Sequence, residues 1–313
     1  KIFNFLLIVI FVNSCSFNKN SKFWTVETLK EIEEKKFEKI FSDQKALNQE
    51  LNTNVTLNFS SDPNKNNLSK NLTNNDGRIN FDGLLKKSSK YKFSKIKNFY
   101  QFEPVISFNK DNIIFFDDKG TVLKFDNRSK LLWKKNYYSK DEKKLNPILQ
   151  FANNNKFLIV ADSLSKYYML DLENGDLVWS KENSAPFNSQ IKIYKDKFFI
   201  IDFTNTLRSF SLKNGKEIWK FQTESSLIRS QKKLSMVIVD ETIYFNNSLG
   251  DISAVSIDDG DLLWQLPTQS NVIYESAFSL ETSDIIADEN DLFFSNNKNQ
   301  FFSIDMKSGS FNW

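Results

Sequence analysis

Histidine is absent from this 313-residue chain, and cysteine occurs once, at Cys15. Without an imidazole the chain lacks the side chain that most often serves as a general base near neutral pH and as a transition-metal ligand. Every Ser-His-Asp and Cys-His nucleophile arrangement is excluded with it. A single thiol rules out any disulfide within the chain. Glycine is sparse, at 8 residues, and neither a P-loop nor a G-x-G-x-x-G stretch occurs. An excess of one charge is also missing: 42 Lys and Arg stand against 39 Asp and Glu, a formal net charge of +3. That balance is too small to argue for a nucleic-acid partner. The acidic pairs Asp117/Asp118 and Asp258/Asp259 lie in turn-like stretches between apolar runs. The expected role there is a turn carboxylate rather than paired acid–base chemistry.

What the chain does contain is a repeat. Residues 170–179 read LDLENGDLVW, and related stretches end at four other tryptophans: KFDNRSKLLW, FSLKNGKEIW, VSIDDGDLLW and SIDMKSGSFNW. The tryptophans are Trp133, Trp179, Trp219, Trp264 and Trp313, spaced 40 to 49 residues apart. A period in the forties with one turn and one aromatic per unit marks a repeat architecture. Inside each unit an apolar run comes first, as in NIIFF at 112–116 and FFIID at 198–202, then a polar turn, then a second alternating run such as KYYMLD or TLRSFS. A glycine-containing turn and a third short run ending in Trp complete the unit. Short runs rich in Phe, Ile, Val, Tyr and Leu, split by Asn, Asp, Gly and Ser, predict strands rather than helices. With a fourth strand taken from the less regular connection, each unit becomes a four-stranded antiparallel sheet. Radial repetition of such sheets makes an all-β propeller.

The spacing also assigns roles. Gly175, Gly215, Gly260 and Gly309 each stand four residues before a Trp, where a tight turn calls for positive φ. The first unit has Ser129 there and a shorter turn from Asp126, so a different turn is expected in that blade. The five tryptophans read as scaffold, large rings wedged between neighbouring sheets, because a binding residue has no need to recur in every unit.

This pattern resembles the PQQ-like repeat, with its A-x-D-x-x-x-G-x-x-x-W core, and within it the BamB-type lipoproteins of the outer-membrane β-barrel assembly machinery. The resemblance covers about residues 97–313. Relatives of that type are eight-bladed, which at ~45 residues per blade needs ~360 residues. The expectation is therefore about five blades of an eight-bladed ring, truncated at the C-terminus. The resemblance implies a non-enzymatic scaffold without a cofactor. Quinoprotein dehydrogenases share the repeat and form the rival reading. They carry a vicinal cysteine pair and a calcium site, and one cysteine cannot make the pair. A glycan-binding propeller is a further alternative, which exposed aromatic residues at one mouth of the ring would signal.

Ahead of the repeats, residues 1–14 read as a lipoprotein signal peptide. Phe3 to Val12 is apolar apart from Asn4, the length of a signal core and too short for a bilayer-spanning helix. Val12-Asn13-Ser14-Cys15 looks like a lipobox, which makes Cys15 the lipidated residue, and Ser16 after it fits export to the outer membrane. Residues 15–96 then form a tether. Apolar residues at 26, 29, 32, 37, 40 and 41 predict a short amphipathic helix within 24–51, and the Asn-, Ser- and Lys-dense stretch 52–80 reads as a loose linker.

Two connections between units exceed hairpin length, at residues 220–236 and 265–286. Loops on a rigid ring suit recognition. In BamB-type proteins such connections carry an apolar-arginine surface and nearby acidic residues that meet the periplasmic POTRA domains of BamA. The resemblance places Leu227, Ile228 and Arg229 in the first role and Glu281 and Asp284 in the second. The plainer alternative is burial of Leu227 and Ile228 under a blade and a surface ion pair of little worth for Arg229. The partners so implied are BamA, the other assembly lipoproteins and unfolded outer-membrane proteins, with no nucleic acid. The place implied is the periplasmic face of a bacterial outer membrane.

Overall fold

The computed structural model describes residues 90–91, 105–109, 112–224, 233–268, 283–296 and 300–313. The expected signal peptide, Cys15 and the helix within 24–51 lie outside these residues.

Among the described residues nineteen strands form five consecutive antiparallel sheets, each a meander in which sequence neighbours pair. Blade 1 holds β1 (Ser107–Asn109), β2 (Asn112–Phe116), β3 (Val122–Phe125) and β4 (Leu131–Lys135). Blade 2 holds β5 (Leu149–Asn153), β6 (Phe157–Asp162), β7 (Lys166–Asp171) and β8 (Leu177–Glu182). Blade 3 holds β9 (Lys192–Tyr194), β10 (Lys197–Ile201), β11 (Thr206–Ser211) and β12 (Glu217–Gln222). Blade 4 holds β13 (Met236–Val239), β14 (Thr242–Asn246), β15 (Ile252–Ser256) and β16 (Leu262–Leu266). Blade 5 has three strands among the described residues, β17 (Ile286–Asp288), β18 (Asp291–Ser295) and β19 (Phe301–Asp305), and a bridge from Ile304 to Phe311 begins a fourth. The expected propeller architecture is present. Its fourth strand is indeed drawn from the irregular connection and comes first in each blade. The final strand does not stop at Trp as the third runs suggested; Trp133, Trp179, Trp219 and Trp264 are each the third residue of a strand that continues past them. One five-residue helix, α1 (Lys140–Lys144), joins blades 1 and 2, opened by a capping box between Ser139 and Glu142.

Strand periodicity explains why the blades stack. Alternate side chains of a strand face opposite sides of its sheet. In β6, Leu158 and Val160 join the core shared with blade 1, while Ile159 and Ala161 join the core shared with blade 3. In β10, Phe198 and Ile200 face blade 2, and Phe199 and Ile201 face blade 4. Both faces of a middle blade are thus buried, so its central strands read as almost continuous apolar runs. The last strand is different: β8 and β12 are exposed or half-exposed throughout. The hydrophobic cores therefore lie between blades, not within them.

The Trp and Gly of the repeat fasten those interfaces. The turn between the third and fourth strands closes with Gly175 N–H donating to Asp171 O at 2.9 Å, Gly215 to Ser211 at 2.8 Å, Gly260 to Ser256 at 3.1 Å and Gly309 to Asp305 at 2.9 Å. Gly260 sits at φ +81, and a Cβ there would lie 2.6 Å from the Trp219 ring; Gly215, at φ +64, would place one 2.7 Å from Trp179. Glycine is therefore required twice over, by left-handed backbone and by close approach. The ring in question belongs to the preceding blade. Each indole also donates to a carbonyl of the following blade: Trp133 to Leu172 at 3.2 Å, Trp179 to Leu212 at 3.0 Å, Trp219 to Ile257 at 3.0 Å and Trp264 to Met306 at 2.9 Å. Glycine and tryptophan that stand four residues apart in sequence thus serve different interfaces. Blade 1 has the expected different turn, with Ser129 at φ +66 and its N–H bonded to Asp126 O.

Candidate protein-docking rim

A meander of four strands places its three turns and its crossover to the next blade on two opposite rims. The first–second and third–fourth turns share one, the turn rim. The second–third hairpin and the connection to the next blade share the other, the hairpin rim. The described ends of both long connections noted above lie on the hairpin rim.

Each hairpin on that rim is set by the residue that follows or ends the second strand. Asp117 Oδ1 accepts from the backbone N–H of Lys119 and Thr121, both at 2.9 Å. Asp162 does the same for Leu164 and Lys166 at 2.8 Å, and Asn247 for Leu249 at 2.9 Å and Asp251 at 3.0 Å. Asp202 accepts from Thr204 at 2.8 Å and Asn296 from Gln300 at 3.2 Å. These side chains mimic a turn and satisfy backbone donors that the ladder leaves open. Asp117 therefore works as the turn carboxylate expected of it.

Beyond this shared device the rim differs from blade to blade. Between blades 1 and 2, the buried Tyr138 phenol donates to Asp162 Oδ2 at 2.5 Å, and Lys166 pairs with Glu142 of α1. Burial pushes the Asp162 carboxyl above the usual carboxylate range and the Tyr138 phenol well above its ordinary value. The Lys166 ammonium, aided by the Ser139 N–H, holds Glu142 down at about 2. In blade 3, Arg208 spans the buried Asp202 at 2.8 Å and Glu217.

The feet of the two long connections are tied together. The first leaves β12 through Thr223 and Glu224. Thr223 N–H donates to Asn205 O at 3.1 Å, and Asn205 Nδ2 donates to Glu224 O at 2.8 Å and Ser248 Oγ at 2.7 Å. Ser248 N–H returns a bond to Asn205 Oδ1 at 3.1 Å, and Asn247 Nδ2 reaches Thr223 Oγ1 at 3.3 Å. The second leaves β16 through Thr268, whose hydroxyl donates to Gly250 O at 2.6 Å. Asp251 accepts from Asn247 and Gln265; burial raises its pKa, and the neighbouring Glu224 charge adds to the rise. The far ends converge as well. Leu234 exchanges backbone bonds with Asn188 and Gln190, Ile285 N–H donates to Ser235 Oγ at 3.0 Å, and Gln190 Nε2 donates to Asp284 Oδ2 at 3.0 Å.

Of the five residues expected to meet a partner, Asp284 is described. It is exposed at the entry to blade 5 and held by Gln190. Leu227, Ile228, Arg229 and Glu281 lie outside the described residues. Among the described residues, no group of three or more Cys, Asp or Glu side chains is placed to hold a metal ion. The Asn205–Ser248 and Gln190–Asp284 links escaped the sequence reading, since nothing in the repeat marks residues 43 and 94 positions apart as partners. The capping box before α1 was readable as Ser139-x-x-Glu142.

The family described as outer membrane protein assembly factor BamB matches residues 118–313. A protein of that name from Shewanella oneidensis is 27% identical over 151 residues, covering 47% of this chain and 35% of that protein. The chain thus spans about a third of that curated relative's length. The crystal structure of BamB from Moraxella catarrhalis superposes with a TM-score of 0.55 at 16% identity, over 67% of this chain and 62% of that one. A quinohemoprotein alcohol dehydrogenase from Comamonas testosteroni superposes with a TM-score of 0.53 at 14% identity, over 67% of this chain and 42% of that one. At these identities the superpositions show a shared fold.

Proposed function

The chain belongs to the outer membrane protein assembly factor BamB family, and from that membership we propose that it is a non-enzymatic scaffold that helps insert β-barrel proteins into the bacterial outer membrane. It is tethered to the periplasmic face through lipidated Cys15. It presents its hairpin rim to the POTRA domains of BamA, alongside the other assembly lipoproteins, and receives unfolded outer-membrane proteins there.

The observation that carries this reading is the pinned pair of long connections on one rim. Blades 3, 4 and 5 tie the described ends of both together by buried and half-buried side-chain hydrogen bonds, a fixed base for the two connections. Loops on a rigid scaffold are the usual seat of recognition, and an arginine beside apolar residues is a common centre of a protein interface. Leu227, Ile228 and Arg229 on the first connection supply that centre; Glu281 and Asp284 on the second supply the acidic flank. The dehydrogenase reading draws on the same fold and asks for a cysteine pair that this sequence does not contain.

The test uses the chain with Arg229→Ala or Arg229→Glu and measures capture of the BamA periplasmic region. Arg229→Glu is expected to weaken capture by at least about 10-fold, the scale of a charged contact at an interface centre, while thermal unfolding stays unchanged. Undiminished capture by both variants removes the site assignment. For the anchor, Cys15→Ser is expected to abolish fatty-acid incorporation and release the protein from membranes.

A further inference from the structure

Blades 1 and 4 carry the same exposed apolar pair on their last strands, in opposite electrostatic surroundings. Leu131 and Leu132 are 40% and 46% exposed; Leu262 and Leu263 are 45% and 55% exposed. Around the first pair the chain reads NRSKLLWKK, around the second IDDGDLLWQL. Arg128, Lys130 and Lys134 beside the blade 1 pair are exposed. Among the described residues none of the three forms an ion pair. The nearby Asp126 spends Oδ1 on the backbone N–H groups of Arg128 and Lys130. Beside the blade 4 pair stand exposed Asp258, Asp259 and Asp261.

Single exposed leucines need no explanation, and lysines on an edge strand discourage pairing with other strands. Their combination on β4 goes further. Two leucines flanked by three unpaired cations match a surface that offers both phosphates and an apolar layer beneath them. β4 is the last strand of its sheet, so a flat surface can reach it. Among the described residues the aromatics beside the patch are engaged within the chain, Trp133 against blade 2 and Tyr91 on Phe125 with its hydroxyl donating to Asp126 O; that disfavours a protein hot spot. We propose that the outer strand of blade 1 is a contact surface for an anionic lipid bilayer, with Leu131 and Leu132 entering the headgroup boundary and Arg128, Lys130 and Lys134 meeting lipid phosphates. The blade 4 edge, with the same leucines and reversed charge, is repelled from it. This surface is separate from the docking rim and does not depend on it.

The experiment places one environment-sensitive fluorophore at Leu132→Cys or Leu263→Cys, each in the full chain carrying Cys15→Ser. The probe is a vesicle of phosphatidylethanolamine and phosphatidylglycerol, with a phosphatidylcholine vesicle as the neutral comparison. The label at 132 is expected to shift to the blue with anionic vesicles and not with neutral ones, and the shift should fade with added salt. The label at 263 should stay unmoved. A cation near an anionic surface contributes a factor of about 5 in partitioning, so Lys130→Glu with Lys134→Glu should lower the response at 132 more than about 10-fold. No shift at 132, an equal shift with neutral vesicles, or an equal response at 263 overturns the proposal. So does a label at 132 that ignores vesicles and responds to polyglutamate, which would make the patch a protein surface.

Discussion

On the turn rim, four successive interfaces repeat one device. A tryptophan donates to a carbonyl of the next blade and lies against that blade's glycine, with Cβ clearances below 3.0 Å at Gly175, Gly215, Gly260 and Gly309. On the hairpin rim the interfaces are individual: a buried Tyr138–Asp162 pair and a helix between blades 1 and 2, and an Asn205–Ser248 exchange between blades 3 and 4. The first rim is uniform because stacking identical sheets poses the same packing problem each time. The second rim is free to vary because the uniform one already fixes the stack. Variation there means each connection can be tuned separately, which is what a docking surface needs.

The largest blow to this arrangement should come from the uniform rim. Trp219→Ala removes a ring from the blade 3–4 core together with its N–H bond to Ile257; a loss of about 3–5 kcal/mol is expected in urea denaturation. Gly260→Ala keeps that ring but forces a Cβ toward it from a φ of +81. It should cost about 2 kcal/mol by the same assay. On the hairpin rim, Asn205→Ala leaves Glu224 O and Ser248 without their partner. About 1–2 kcal/mol is expected, and hydrogen exchange should quicken at Thr223 and Ser248 while the blade 1–2 interface stays protected. If Asn205→Ala proved as damaging as Trp219→Ala, the division of labour between the rims would fail.

The smallest effect is a pH step at α1. Glu142 is held at about 2 against an ordinary value of 4.5, chiefly by its hydrogen bond to Lys166. Its folded value lies below the unfolded one, so its contribution is present above pH 4.5 and is lost as pH falls toward 2. Amide exchange across 140–148 should accelerate over that window, and Glu142→Gln should exchange fast at both ends of it.

The contrast between rims also explains what the sequence revealed. The blade period was legible because the staple demands the same two residue types in each unit. The second and third strands were legible as apolar runs. Three of the first strands were not, since the three residues of SFN, KIY or IAD carry no periodicity. The true partner of each Trp was hidden because its glycine lies in the next unit. On the hairpin rim, Asp117 and its equivalents were recognisable as turn residues, whereas the Gln190–Asp284 bond had no local signature. Leu227, Ile228, Arg229 and Glu281 rest on family resemblance alone and lie outside the described residues.

The most direct test of the scaffold account compares one charge reversal on each rim for binding to the BamA periplasmic region. Arg229→Glu changes the first long connection; Lys216→Glu changes an exposed turn residue beside Gly215. The account predicts that Arg229→Glu loses at least about 10-fold in affinity while Lys216→Glu binds like the parent, both at unchanged stability. Equal binding by both variants, or loss through Lys216→Glu alone, would contradict it.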